Sequence, residues 1–169
     1  SILKKIKKSK ELTILYSDKV NHNKLKDVTE TQSPVQTHKY EYKLRRTTGD
    51  TTYSYTSILP TYYYDNKISF TKSGYPDFIF HTSKNPTGAI KHMSGIIVCK
   101  DKNEAENMIW VFNESKLTKY YHKNTKSGGM NGFQFIRPDL DYTKKITNED
   151  LYEYYGLSNS DIKYINENF

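Results

Sequence analysis

The stretch KYEYKLRRTTGDTTYSYTSI (39–58) decides the fold class of this chain. Over 39–46, tyrosine and leucine alternate with charged residues, which is the period-two pattern of a half-buried β-strand. Gly49 and Asp50 then mark a turn, and the alternation of tyrosine with small polar residues resumes over 51–58. The stretch therefore predicts two antiparallel strands that form a hairpin.

Further strands and helices are predicted on both sides of this hairpin. A change to a spacing of three and four residues predicts two short helices or one kinked helix over 102–124. Capping patterns that begin at Thr147 and Ser158 predict two helices in the tail. Short runs of β-forming residues between turn residues predict more strands. These strands cover 11–17, 67–71, 77–81, 95–100 and 133–136.

The predicted fold class is α+β. We expect a twisted, mostly antiparallel mixed sheet with helices packed on it and a C-terminal helical hairpin. The predicted organisation is an N-terminal lead-in and loop (1–38), an α+β domain (39–145) and the helical hairpin (146–169) on the same domain.

Composition excludes several classes of protein. The chain has 169 residues, the size of one domain, and its 16 tyrosines predict a tyrosine-rich core. The sequence contains no apolar run long enough to span a membrane, no signal peptide, and a single cysteine, Cys99. We therefore expect a cytoplasmic protein with no membrane partner. Because the first residue is Ser1 and not methionine, we also expect the chain to be part of a larger protein.

The positive charge is concentrated in the front of the chain. The net charge is +7, with +7 in residues 1–48, +3 in residues 49–128 and −3 in residues 129–169. An anionic partner is therefore expected at the front or the middle and not at the tail. A second explanation stays open, because 23 of the 26 basic residues are lysines. An AT-rich genome produces abundant Lys, Asn, Ile and Tyr whatever the function.

Most catalytic signatures are absent from the sequence. It contains no glycine-rich phosphate-binding loop, and its five histidines are scattered. One nuclease-like pattern is present, in which Pro76 and Asp77 are followed by Glu114 and Lys116. Two carboxylates and a lysine are what such a nuclease uses to hold Mg²⁺ and an attacking water. In that pattern the second element lies on a strand, whereas Glu114 lies in a segment with helical spacing.

Four strings of the sequence together resemble one protein family. They are KISFTKSGYPDF (67–78), GIIVCKDKNEAENMIWVFNESKLTKYY (95–121), SGGMNGF (127–133) and ITNEDLYEYYGLSNSDIKYI (146–165). Their order and spacing resemble the C-terminal target-recognition domain of adenine-specific DNA methyltransferases from type II (IIG-like) restriction–modification systems. One departure is Glu114, which is inserted into an Asn-Ser-Lys-Leu-like string at 113–117.

The resemblance implies a module that recognises a short duplex DNA sequence and is not catalytic on its own. In that family a separate domain binds S-adenosylmethionine and carries an Asn/Asp-Pro-Pro-Tyr/Phe motif that acts on the flipped adenine. This sequence has neither motif. We therefore expect no cofactor, metal or catalytic residue in this chain, and S-adenosylmethionine in the missing domain. The expected partners are double-stranded DNA and the methyltransferase domain of the same parent protein, an S-adenosylmethionine-dependent DNA adenine methyltransferase.

Two sets of residues are predicted to contact the DNA. Basic side chains are expected to bind phosphates, and polar side chains beside glycines are expected to reach base edges or grooves. The predicted phosphate set is Arg45, Arg46, Lys72, Lys123 and Lys126. The predicted groove set is Ser73, Gly74, Tyr75 and Asn131.

Two functions of other classes stay open. The first is a Mg²⁺-dependent nuclease that uses Asp77, Glu114 and Lys116. The second is a protein-interaction domain whose acidic tail helices form the interface, with Tyr154 or Ile165 on an exposed face.

Overall fold

The chain has an α+β fold, as predicted, and it divides into two compact units. A computed structural model describes residues 1–47, 52–72, 75–125 and 135–169. The helical unit has as its described residues Ser1–Leu12, 103–125 and 135–169. The sheet unit has as its described residues 13–47, 52–72 and 75–102. The predicted boundaries at 38/39 and 145/146 do not coincide with the boundaries of these units.

The sheet unit contains seven described strands in two sheets. They are β1 (Gln32–Ser33), β2 (Tyr42–Arg45), β3 (Tyr53–Thr56), β4 (Lys67–Thr71), β5 (Ile79–His81), β6 (Gly88–Ala89) and β7 (Ser94–Val98). One sheet has the order β1-β3-β2-β6 and the other has the order β5-β4-β7. All neighbouring strands are antiparallel except β2 and β6. The β2–β3 hairpin is confirmed, and its turn residues Gly49 and Asp50 lie outside the described residues.

The chain changes sheet between β3 and β4, between β5 and β6, and again in the turn between β6 and β7. Met93 N and Ser94 N both donate to Ile90 O at 2.9 Å. Ser94 Oγ accepts from Ile90 N at 2.9 Å and donates to Arg45 O at 2.7 Å. This tight turn places β7 beside β4 and not beside β6, so the expectation of one mixed sheet is corrected to two sheets.

The hairpin buries its small residues and leaves its tyrosines half-buried. Ser54 and Thr56 of β3 are buried, whereas Tyr53 and Tyr55 are partly exposed. In the antiparallel register, Tyr55 lies opposite Lys43 and Ser54 lies opposite Leu44. Because opposite residues share a face, the more exposed side of the hairpin carries Lys43, Tyr53 and Tyr55, and the buried Arg45, opposite Tyr53, lies on the same side.

Strand β4 is buried on both faces. Ile68 and Phe70 point to one side and pack in the apolar core. Lys67, Ser69 and Thr71 point to the other side and are also buried. A polar face on a buried strand needs hydrogen-bond partners, because an unpaired buried polar group costs free energy. These partners form the polar cluster described below.

Two predicted strands are not strands in the structure. The segment 11–17 forms only isolated bridges, Glu11 with Pro138 and Leu15 with Ile96. Of the segment predicted at 133–136, Phe135 and Ile136 are buried without strand pairing, and the other two residues lie outside the described residues. The segment 11–17 is only partly buried, whereas Phe135 and Ile136 are buried, and strand pairing follows in neither case.

The five described helices lie in the helical unit, apart from Lys102, the first residue of the second helix. They are α1 (Ile2–Lys8), α2 (Lys102–Ile109), α3 (Lys116–Thr125), α4 (Asn148–Tyr154) and α5 (Asn159–Asn168). A π-helical turn, Trp110–Glu114, separates α2 from α3. Val111 O accepts hydrogen bonds from both Ser115 Oγ and Thr118 Oγ1, at 2.8 and 2.7 Å. These hydroxyls replace part of the helical bonding, which explains the predicted break in the helix.

The tail forms the two predicted helices. Thr147 with Asp150, and Ser158 with Asp161, form complete capping boxes. Gly156 ends the first helix with a φ of 63°, which glycine adopts without strain. Among the described helices, none combines the length and the apolar character that crossing a membrane requires.

Candidate nucleic-acid interface

The two units differ in net charge. The described residues of the sheet unit include thirteen basic and seven acidic side chains, a net +6. Those of the helical unit include twelve basic and eleven acidic side chains, a net +1. A phosphate-rich ligand is attracted by the summed field of the surface. The electrostatic preference for such a ligand therefore lies in the sheet unit.

The lysines at the N-terminus do not add to that preference. Lys5 pairs with Asp161 at 3.0 Å and Lys10 pairs with Asp139 at 2.9 Å. The Asp139 carboxylate, through its hydrogen bond and its charge, raises the pKa of Lys10. The most basic stretch of the sequence thus lies in the same unit as the acidic tail, which offsets part of its charge.

Arg45, a predicted phosphate ligand, is fully buried. Its Nη2 donates to Asp77 Oδ2 at 2.6 Å, and its Nη1 donates to Asp77 O at 2.6 Å. The same Nη1 also donates to Ser69 O and Ser69 Oγ, at 2.9 and 3.0 Å. The guanidinium therefore ties the segment at Asp77 to strand β4. With no exposed surface, Arg45 has a structural role in this fold, which is inconsistent with phosphate contact.

The same ion pair bears on the nuclease hypothesis. The Asp77 carboxylate accepts a charged hydrogen bond from Arg45, so this carboxylate already neutralises a buried cation. Glu114 is exposed at the end of the π-helical turn, and its Oε1 accepts from Asn113 Nδ2 at 2.9 Å. Lys116 Nζ donates to Asn166 Oδ1 at 3.3 Å. Among the described residues, no group of three or more His, Cys, Asp or Glu side chains could hold a metal ion.

Ser69 and His81 form a buried pair beside Arg45. Ser69 Oγ lies 2.7 Å from His81 Nε2, and His81 Nδ1 lies 2.9 Å from Asn85 O. Burial lowers the pKa of His81 to about 4, so the imidazole is neutral near pH 7. The arrangement resembles a nucleophile and its base. Ser69 is fully buried, however, so a substrate has no access to its hydroxyl.

Lys67 is a second buried cation on the polar face of β4. Its Nζ donates to Tyr63 O at 2.6 Å and to Asp65 O at 3.0 Å. Burial lowers the pKa of Lys67 to about 8, and the charge of Asp65 opposes this shift. Lys67 therefore holds the loop before β4 against the sheet and is not available to a ligand.

Lys72, another predicted phosphate ligand, lies directly after β4. Its backbone N donates to Met93 O at 3.0 Å, which fixes it beside the turn between β6 and β7. Its Nζ donates to the Tyr16 hydroxyl and lies 4.4 Å from the centre of the Tyr16 ring. The side chain is partly exposed. The position of Lys72 at the end of β4, beside the turn between β6 and β7, is compatible with the predicted contact to a phosphate.

The remaining predicted residues have different surroundings. Arg46 is half-buried beside the hairpin turn, and its backbone N donates to Thr52 O at 3.2 Å. Tyr75 is 69% exposed. Lys123 is exposed in α3, with its Nζ 5.5 Å from the centre of the Phe169 ring. Lys123 thus belongs to the helical unit, whereas the other described members of the two sets belong to the sheet unit. Ser73, Gly74, Lys126 and Asn131 lie outside the described residues.

Sequence reasoning missed the lysine and tyrosines on the exposed side of the hairpin. Lys43 Nζ lies 4.2 Å from the centre of the Tyr53 ring, which is cation–π distance. Lys43 N donates to the Tyr63 hydroxyl at 2.8 Å, so the backbone of this lysine is fixed. Together with Tyr55, this side of the hairpin presents a cation and two phenol rings. Only the register identifies it, because the sequence alone favoured burial of the tyrosines.

Sequence reasoning also missed the turn between β6 and β7. Lys91 and His92 are exposed there, close to Lys72. His92 has a φ of 75°, and its ring lies 4.6 Å from the ring of His22. The scattered positions of the histidines gave no signal for this pairing, because it depends on the fold.

Three comparisons with known proteins were made for this chain and this fold. Neither a family model, nor a curated protein sequence, nor a solved structure matches the chain.

Proposed function

We propose that the chain is a duplex DNA recognition module that contacts DNA through its sheet unit. The observation that carries the proposal is the net +6 of the described sheet-unit residues against +1 in the helical unit. Phosphate neutralisation supplies most of the affinity of a DNA-binding surface. The half of the molecule with surplus positive charge is therefore the half that we assign to DNA.

The exposed side of the hairpin supplies suitable chemistry for this contact. Lys43 is held over Tyr53, and both are partly exposed. Lysine and tyrosine side chains both make hydrogen bonds to phosphate oxygens in protein–DNA complexes. The half-exposed Tyr55, opposite Lys43 in the register, adds a second phenol to the same face. We assign these groups to contacts with the DNA backbone, which position the duplex, and we assign the recognition of base sequence to the loops.

The resemblance to target-recognition domains extends this proposal. In this view the chain is not an enzyme on its own, and it acts beside a cytoplasmic methyltransferase domain that binds S-adenosylmethionine and modifies adenine. The nuclease alternative has less support, because Asp77 already pairs with Arg45. For the protein-interaction alternative, Ile165 is buried, so the exposed Tyr164 is the better position to mutate.

The test is binding of a labelled duplex at several salt concentrations, read by fluorescence anisotropy. We expect affinity to fall steeply with salt, and Lys43→Gln to reduce the slope of log affinity against log salt by about one. The matched control is Lys163→Gln, an exposed lysine of the helical unit. Equal effects of both variants, or no binding at about 50 mM salt, would overturn the proposal.

A further inference from the structure

We propose that His22, Lys72, Lys91 and His92 form a phosphate-binding corner, in which His92 takes up a proton when a phosphate binds. The corner lies in the sheet unit, where β4 ends and the chain turns from β6 to β7. As a DNA contact it rests on the proposed function, but as an anion site it stands on its own geometry.

The turn that carries Lys91 and His92 is rigid. Ile90 O accepts from both Met93 N and Ser94 N, and Ser94 Oγ accepts from Ile90 N. His92 nevertheless adopts a φ of 75°, in the left-handed region that a non-glycine residue rarely adopts. Such a backbone conformation persists only where the surroundings hold it, and it is common at ligand sites. Here it places His92 at the exposed tip of the turn.

The histidine on the other side of the corner is also held in place. His22 belongs to a single-turn helix, His22–Lys24, and its ring lies 4.6 Å from that of His92 at 54°. The buried side chain of Gln32 fixes this turn from strand β1. Gln32 Oε1 accepts from Asn21 N at 2.6 Å, and its Nε2 donates to Asn21 O and Lys24 O, each at 3.1 Å. The site is thus organised before a ligand arrives.

The charges around the corner select an anion. Desolvation, followed by the charges of His22, Lys72 and Lys91, lowers the pKa of His92. All three neighbours carry or can carry positive charge, so a metal cation is repelled. Lys72 directly follows β4, and Lys91 lies in the turn itself. A tetrahedral oxyanion offers acceptors to all four side chains.

Proton uptake follows from this arrangement. In the free protein, desolvation and then the charges of the neighbouring side chains oppose the protonated form of His92 and lower its pKa. A bound phosphate supplies the negative charge that stabilises the imidazolium form. Binding is then linked to protonation, and the affinity rises as the pH falls. When binding takes up one proton, the affinity can change by at most about tenfold per pH unit.

The experiment measures duplex DNA binding at about pH 8 and about pH 6, at constant ionic strength. The DNA phosphodiester does not titrate in this range, so a change reports the protein. We expect wild-type affinity to rise about tenfold, and His22→Gln/His92→Asn to remove this rise while binding at about pH 8 is retained. Asparagine is chosen because it tolerates a positive φ. The matched control is His38→Gln, an exposed histidine of the same unit.

A second measurement separates this inference from the proposed function. The histidine C–H signals of the full chain are followed by NMR against pH, with and without inorganic sulfate. Sulfate should raise the pKa of His92 and shift the signals of His22, and it should leave the signals of His38 unchanged. If this occurs without DNA binding, the corner stands and the proposed function fails. If DNA binds but the double variant keeps the pH response, or sulfate leaves both histidines unchanged, the corner is overturned and the proposed function stands.

Discussion

The sheet unit and the helical unit use charged residues in different ways. The helical unit has twelve basic and eleven acidic described residues, and several of them form ion pairs with one another, as Lys10 does with Asp139. In the sheet unit, the buried Arg45 pairs with Asp77, whereas Lys43 is partly exposed and Lys91 is exposed on the surface. Charge counted along the sequence placed +7 in residues 1–48. The fold offsets part of that charge with the acidic tail.

The first prediction tests whether the pair formed by the buried Arg45 with Asp77 in the sheet unit contributes more to stability than the exposed pair of Lys10 with Asp139 in the helical unit. Removing the carboxylate with Asp77→Ala leaves the guanidinium of Arg45 buried with fewer partners. We expect a loss of about 3–5 kcal/mol in the free energy of unfolding, measured by urea denaturation. The matched variant is Asp139→Ala, which breaks an exposed pair and should cost far less. Similar losses in both variants would contradict the comparison.

The second prediction uses one buried histidine from each unit. Burial lowers the pKa of His81 in the sheet unit and of His122 in the helical unit, each to about 4. Between about pH 6.5 and pH 4 the unfolded chain therefore binds more protons than the folded chain. Stability should fall as the pH falls through this window, by on the order of 2–3 kcal/mol for His81.

The measurement for this prediction is the urea midpoint at several pH values. His81→Gln and His122→Gln should each reduce the slope of stability against pH, whatever each does to stability at pH 7. If only His81→Gln changes the slope, acid sensitivity belongs to the sheet unit alone. Unchanged slopes in both variants would mean that neither imidazole is buried in its neutral form.

Local patterns predicted the elements of the fold better than they predicted the site. The hairpin, strand β4 and the capped tail helices follow from residue spacing, because a turn, an alternation or a cap involves neighbours in the sequence. The break at Ser115 was also visible as a slip in the helical spacing. In contrast, the change of sheet between β6 and β7 depends on Ser94, which bonds a residue far away in the chain.

The site residues were harder to predict, because their environments depend on distant contacts. Arg45 has the sequence context of an exposed strand residue, but the carboxylate and carbonyl of Asp77 bury it. His22 and His92 meet although seventy positions separate them in the sequence. Lys72 was predicted correctly to lie at the end of a strand, because that placement depends on β4 alone.

The third prediction concerns the capped helices of the helical unit. Thr147→Ala and Ser158→Ala each remove a hydroxyl that accepts from a backbone N–H of the first turn. We expect each to cost about 1 kcal/mol in urea denaturation. Asn159→Ala, at an exposed position in the same turn of α5, should change stability by less than about 0.5 kcal/mol. A loss at Asn159 as large as that at Ser158 would mean that the cap is not the cause.

The smallest predicted effect is the loss of stability in Lys10→Ala, and added salt should distinguish it from the loss in Asp77→Ala. Lys10→Ala removes the exposed partner of Asp139, so we expect a small decrease in the urea midpoint at low salt. At about 1 M salt the screening length is about 3 Å, and this difference from wild type should disappear. The larger loss in Asp77→Ala should persist, because water and ions do not reach the fully buried Arg45. If salt removed both losses, the Arg45–Asp77 pair would be as accessible to solvent as the Lys10–Asp139 pair, and the contrast between these two pairs would fail.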